Sequence, residues 1–174
     1  MKKLLLATTV MAALSGTVMA EDTIKVGILQ GFTGPIESLT PFMADSAELA
    51  LKEASDSGEL LGGMKIELVR ADTTCVDAAA QAAAERLVSS DKVVAIFGAA
   101  CSGASTAVAN NVAVPNGVTM ISPSSTSPAL STIEDKGFFF RTAPSDARQG
   151  EVLAQIVKDR GIDSVAISYT NNDY

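Results

Sequence analysis

Hydroxyl groups gather at two places in this chain, each directly after an apolar run. Val93-Val94-Ala95-Ile96-Phe97 leads into Gly98-Ala99-Ala100-Cys101-Ser102-Gly103-Ala104-Ser105. Val118-Thr119-Met120-Ile121 leads into Ser122-Pro123-Ser124-Ser125-Thr126-Ser127. Small residues such as Ala100 leave room for a ligand beside the backbone, and hydroxyls with free N–H groups orient its polar end. The chemistry on offer is recognition of a small polar molecule rather than bond making. Ser102 stands where a helix beginning near Gly103 would have its N-cap. Its hydroxyl either caps that helix or joins the neighbouring N–H groups in holding a carboxylate at the positive helix end. Thr126 can donate to an anion or accept from an ammonium, and the Ser124 carbonyl can accept from an ammonium. An amino acid, with both charges on one carbon, fits that mixture of donors and acceptors.

Catalytic constellations are missing from this stretch. The chain has no histidine, which removes Ser–His and Cys–His pairs and most catalytic zinc sites. There is no Gly-x-Ser-x-Gly elbow, no Walker loop and no dinucleotide-type glycine spacing after the first apolar run. Asp72 and Asp77 flank Cys75, but two carboxylates without further oxygen ligands read as a loop acid and a first-turn helix acid. No metal and no cofactor is expected.

The elements that must position the hydroxyls alternate between strand and helix. Strands are predicted at 24–29, 64–69, 93–97, 118–121, 138–141 and 165–169. Helices are predicted at 41–57, over the alanine-rich stretch with Val76, Ala79, Ala80, Ala83, Ala84, Leu87 and Val88 on one stripe, at 103–112, and from about Asp146 to near Gly161. Pro41 fits a first helical turn with Thr40 as N-cap. Such alternation implies a doubly wound parallel sheet with helices on both faces. In that architecture ligands sit at the carboxyl ends of the strands.

The first twenty residues read as an export signal: Lys2 and Lys3, an apolar stretch from Leu4 to Leu14, then Val18-Met19-Ala20 before Glu21. Cleavage after Ala20 is expected. The chain carries a net charge of −7, and −9 without Lys2 and Lys3, which argues against nucleic acid and anionic membrane as partners. Cys75 and Cys101 each follow a strand at the same sheet edge. In an oxidising compartment a disulfide is the expected state; the alternative is a reactive thiol at Cys101. The strand expected at 165–169 has only Thr170-Asn171-Asn172-Asp173-Tyr174 after it. No covering helix follows, so a longer protein is expected.

Several of these motifs resemble the branched-chain (leucine-type) amino acid binding proteins of ABC transporters. The matching pieces are Ile24-Lys25-Val26-Gly27, Gly34-Pro35, Cys75, Cys101-Ser102, Met120-Ile121-Ser122-Pro123-Ser124-Ser125-Thr126, Phe140-Arg141-Thr142 and Asn172-Asp173-Tyr174. The resemblance implies a type I periplasmic-binding-protein fold, with residues 21–143 as the first lobe and 144–174 as the start of a second α/β lobe. It implies that Ser102 binds a ligand carboxylate, that the Ser124 carbonyl and Thr126 hydroxyl receive the ammonium, and that Tyr174 closes over the side chain. Ala100 would sit at the site, and Leu39 would line the side-chain pocket, because the loop after Gly34-Pro35 offers no tyrosine. It further implies a monomeric, non-enzymatic periplasmic receptor that hands a small amino acid, carboxylate or amide to an ABC permease. A sensory ligand-binding domain, or an exported enzyme with its catalytic residues elsewhere, are the other readings.

Overall fold

A computed structural model describes residues 23–169 and 174. The expected export signal at 1–20, with its cleavage point, and the Asn172-Asp173 motif lie outside the described residues. Five strands form one parallel sheet: β1 (Thr23–Gln30), β2 (Lys65–Asp72), β3 (Ala95–Gly98), β4 (Thr119–Ser122) and β5 (Phe139–Arg141), in the order β2-β1-β3-β4-β5. Among the described residues, four α-helices accompany them: α1 (Thr40–Asp56), α2 (Asp77–Ser89), α3 (Ser102–Val108) and α4 (Asp146–Asp159). A π-helical turn, Ala109–Ala113, prolongs α3.

The chain passes from β1 outward to β2 and then crosses back to β3 on the other side of β1, so the direction of winding reverses between β1 and β3. At such a switch point the two outgoing loops part and leave a crevice above the sheet. The main core lies on one face, where Leu29, Ile96, Met120 and Phe139 meet Ala80, Ala84 and Leu87 of α2 and Ala104 and Val108 of α3. Alanines on α2 bring the helix close: a Cβ on Gly27 would lie 2.9 Å from the Leu87 side chain. The opposite face is covered over β1 and β2 by α1. There Ser55 is buried because its hydroxyl accepts the Ile66 N–H at the outer edge of β2, 3.0 Å away. Ile121 and Phe140, adjacent in register on β4 and β5, remain 40% and 51% exposed.

Several local expectations are corrected. Thr40 is not an N-cap: it is the first residue of α1, and its hydroxyl donates to the Gly31 carbonyl at 2.5 Å, tying the helix back to the end of β1. Val76 precedes α2 and is exposed, so the buried stripe begins at Ala80. Residues 165–169 do not form a strand, and Val165, Ile167 and Tyr169 are exposed. Strand conformation is stabilised by a paired neighbour, and the five-stranded sheet ends at β5 without reaching this segment. α4 forms as expected, but its Val152, Leu153 and Ile156 stripe stays exposed.

The close approach of β3 to β1 allows no side chain at position 98. Gly98 has φ +137°, and a Cβ there would fall 1.8 Å from the Leu29 carbonyl oxygen. Gly98→Ala should therefore cost more than an ordinary buried substitution, about 3 kcal/mol or more, because backbone rather than a flexible side chain must yield. Denaturant unfolding of variant and parent checks this; equal midpoints would contradict it.

Candidate functional site

The exits of β3 and β4 are joined beneath the surface by hydroxyls converging on one backbone oxygen. The Ala99 carbonyl lies 2.6 Å from Ser122 Oγ, 3.0 Å from Ser105 Oγ and 3.1 Å from Ser125 Oγ. Ser105 Oγ and Ser125 Oγ are 2.7 Å apart, and Ser122 Oγ accepts the Ser125 N–H at 3.0 Å. All three serines are fully buried. These hydroxyls replace the ladder hydrogen bonds that the strands no longer make once they turn away from each other. Ser124 adds a second tie, its hydroxyl donating to the Ala100 carbonyl at 3.0 Å. From behind, Arg141 holds the β4 exit through the carbonyls of Ser127 (2.8 Å) and Ser125 (3.3 Å) and the hydroxyl of Ser131.

Above this buried layer lies a cleft of about 410 Å3. Its polar end is made by Ala100, Ser102, Ser124 and Thr126. Its apolar end is made by Pro35, Ile36 and Leu39 from the loop after β1 and by Met43 of α1. Tyr174, Cys75, Cys101, Asp77 and the small residues Gly103 and Ala104 complete the lining. Every residue expected at the site therefore meets in one cavity, with the two cysteines beside it. Ser102 is only 4% exposed and Ser124 and Thr126 are half-buried, whereas Leu39 and Tyr174 are 56% and 60% exposed and Pro35 is exposed beside half-buried Ile36 and Met43, so the cleft is most enclosed at Ser102 and most open at Leu39.

Ser102 does not cap α3. It is the first residue of the helix, and its Oγ accepts the Ser127 N–H at 3.2 Å. The Ser102 proton is thus left to donate into the cleft. The N–H groups of Ser102, Gly103 and Ala104 have no acceptor within the helix, whose first such bond runs from Ser105 to Cys101. This end of the cleft presents donors. The Thr126 hydroxyl is in the opposite state: it donates to Asp146 Oδ2 at 2.8 Å, and the Asp146 N–H returns to the Thr126 carbonyl at 2.9 Å. Tyr174 Oη also donates to Asp146 Oδ2, at 2.6 Å. Sequence reading did not single out Asp146, because nothing in the local pattern joins a first-turn helix acid to a threonine twenty residues earlier.

The opposite wall is anchored by Asp72, at the end of β2. Its carboxylate accepts from Thr33 Oγ1 (2.6 Å), Thr33 N (3.3 Å) and Thr74 N (2.9 Å). Thr74 and Cys75 have left-handed φ values of +50° and +58°, which the Asp72 bond and a Thr73 Oγ1 acceptor for the Cys75 N–H hold in place. Gly34 packs on this bend so closely that a Cβ would lie 2.6 Å from the Thr74 carbonyl oxygen. Arg70 stacks over Phe32 at 5.2 Å while pairing with Asp45 and Glu48 of α1, which steadies the start of the loop. Cys75 and Cys101 form the disulfide, Cα atoms 5.6 Å apart, so the reactive-thiol reading of Cys101 is set aside.

A doubly wound parallel lobe with a hydroxyl-lined cleft over its switch point defines the class: a lobe of the type I periplasmic-binding-protein fold. Residues 23–174 match the periplasmic binding protein family, and the chain belongs to it. Over 171 residues it is 30% identical to a leucine-, isoleucine-, valine-, threonine- and alanine-binding protein of Pseudomonas aeruginosa, covering 98% of this chain and 45% of that one. A branched-chain amino acid transporter substrate-binding protein of Streptococcus pneumoniae, solved with isoleucine, superimposes with a TM-score of 0.71 at 31% identity, over 80% of this chain and 39% of that one. A solute-binding protein of an ABC transporter from Rhodopseudomonas palustris, solved with 3,4-dihydroxybenzoic acid, gives 0.70 at 25% identity, over 82% and 38%. The chain spans less than half the length of these relatives.

Two outcomes are expected from this construction. Reducing the disulfide, which bridges 26 positions, should cost roughly 3.5 kcal/mol on the chain-entropy account, and Cys75→Ser should melt like the reduced parent. Thermal melts with and without reductant read this. Burial pushes the Asp72 carboxyl up, but bonds from the Thr33 hydroxyl and the Thr74, Thr33 and Phe32 N–H groups outweigh it, leaving it below the usual carboxylate range. A carboxyl lowered by folding stabilises the protein above its unfolded value, near pH 4, and that stabilisation is lost as pH falls through the lower folded value. Asp72→Asn should be less stable at pH 7 and should show a flatter loss of stability as pH falls below about 4; parallel curves would contradict the assignment.

Proposed function

We propose that the protein is a receptor that binds a free amino acid with an apolar side chain and passes it to an ABC-type permease. The observation that carries this reading is the division of one cleft into a polar end, most enclosed at Ser102, and an apolar end, most open at Leu39. The carboxylate is placed against the Ser102 hydroxyl and the first N–H groups of α3. The ammonium is placed against the Thr126 hydroxyl and the Ser124 carbonyl, and the side chain against Leu39, Ile36 and Met43, with Tyr174 over it. The names of the relatives, several of them binders of leucine, isoleucine and valine, support the same class of ligand.

Residues 144–174 are read as the start of a second lobe that closes on the first. The bare stripe of Val152, Leu153 and Ile156 on α4 supports that reading, since an apolar helix face of this kind is ordinarily buried. Residues 1–20 are read as the export signal, and the working compartment as the periplasm, where the disulfide would persist. Binding, not catalysis, is the proposed activity, because Ser102, Ser124 and Thr126 offer the cleft donors and acceptors for a head group and the family is one of binding proteins.

Calorimetric titration of the purified protein with leucine, isoleucine, valine and 3,4-dihydroxybenzoate tests the reading. An aliphatic amino acid should bind, and Ser102→Ala should weaken it roughly ten- to a hundred-fold, the worth of one hydrogen bond to a charged group. Binding of the aromatic acid alone, or an unchanged affinity in Ser102→Ala, would overturn it.

A further inference from the structure

The hydroxyls of Ser102 and Thr126 at the polar end of the cleft do not offer the same thing, and the group that makes them differ lies outside the cleft lining. Thr126 Oγ1 has one proton, and that proton points to Asp146 Oδ2, 2.8 Å away. Asp146 is an acceptor only, and it is fixed in place three ways: its N–H binds the Thr126 carbonyl at 2.9 Å, Tyr174 Oη donates to the same Oδ2 at 2.6 Å, and Ser145 caps the helix that Asp146 begins by accepting the Ala147 N–H. Tyr174 Oη lies 3.5 Å from Thr126 Oγ1, too far to replace the carboxylate as its main acceptor. With its proton committed, Thr126 Oγ1 shows the cleft lone pairs alone. Ser102, whose Oγ accepts the Ser127 N–H, shows the cleft its proton. The cleft thus carries a donor at one side of its head-group end and an acceptor at the other.

We propose that Asp146 is a positioning residue that fixes the Thr126 hydroxyl as an acceptor, and that this makes the cleft select α-amino acids over carboxylates that lack the amine. An ammonium placed at Thr126 finds a lone pair. A ligand without the amine leaves that lone pair unpaired when water is expelled, and a carboxylate oxygen turned toward it meets another acceptor. Asp146 does this from behind Thr126, without itself lining the cavity. The proposal rests on the amino-acid reading of the site and adds to it the group that enforces the amine.

The test compares isoleucine with 3-methylpentanoate, the same carbon skeleton without the amine, by calorimetry on the purified protein. The readout is the ratio of the two dissociation constants. Asp146→Ala frees the Thr126 proton to turn into the cleft, so the ratio should shrink about ten-fold, the worth of one hydrogen-bond reversal. Asp146→Asn keeps an acceptor oxygen for the two hydroxyls and should retain most of the discrimination. In a Thr126→Val background, Asp146→Ala should change the ratio no further. Retained binding of 3-methylpentanoate by each variant shows that its cleft is intact. Equal weakening of both compounds by Asp146→Ala would make the residue merely structural and overturn the proposal. So would Asp146→Asn behaving like Asp146→Ala, or an effect of Asp146→Ala that persists in the Thr126→Val background, since either outcome means the charge acts on the amine directly. A parent protein that takes neither compound overturns the amino-acid reading itself, and this proposal with it.

Discussion

The Ala99 carbonyl is the point on which the site is hung. Parallel strands diverge at their carboxyl ends, and the groups that paired them inside the sheet lose their partners there. At the exits of β3 and β4 this loss falls in a fully buried place, where an unpaired polar group costs on the order of 1–3 kcal/mol. Ser105, Ser122 and Ser125 bring hydroxyls to that oxygen from three different segments. Satisfying it therefore sets the distance between the start of α3 and the loop after β4. Because those two pieces carry Ser102 and Thr126, the spacing of the head-group contacts follows from a backbone requirement beneath them. Gly98 is part of the same arrangement, since the chain reaches Ala99 only by passing against the Leu29 carbonyl.

Six of the hydroxyls at the two strand exits consequently divide by role. Ser105, Ser122 and Ser125 are scaffold, fully buried and bonded among themselves, while Ser102, Ser124 and Thr126 line the cleft. Ser124 does both, facing the cavity and tying its hydroxyl to Ala100. Composition makes all six alike. What separates them is which way each side chain points after a turn, and that depends on partners distant along the chain.

The sheet, its helices and the edge that bears the site were legible because apolar runs and turn residues mark strand exits directly. The pairing of Cys75 with Cys101 was legible for the same reason, since both follow strands that end at one edge. Hydrogen-bond partners were not. Thr40 looks like a cap but bonds the Gly31 carbonyl, Ser102 looks like a cap but accepts from Ser127, and Asp72 looks like an ordinary loop acid but gathers donors from Thr33 and Thr74 around a left-handed bend. Each outcome was decided by tertiary placement against a local preference of about 1 kcal/mol. The run at 165–169 failed for a related reason: β-rich composition marks a candidate strand, but pairing makes one.

The loop after β1 has a consequence for how such a cleft diversifies. It is fixed near its ends, at Thr33 by Asp72 and at Gly31 by Thr40, while Pro35 and Leu39 between them are exposed. Ile36 and Leu39 line the cleft, whereas Ser105, Ser122 and Ser125 of the buried hydroxyl layer do not. Replacing those side chains would reshape the apolar end while leaving the grip on the charged head as it is. A lineage built on this lobe could exchange one ligand for another by drift in a few loop positions, at almost no cost in foldability. Inventing a new head-group chemistry would require rebuilding the strand exits themselves.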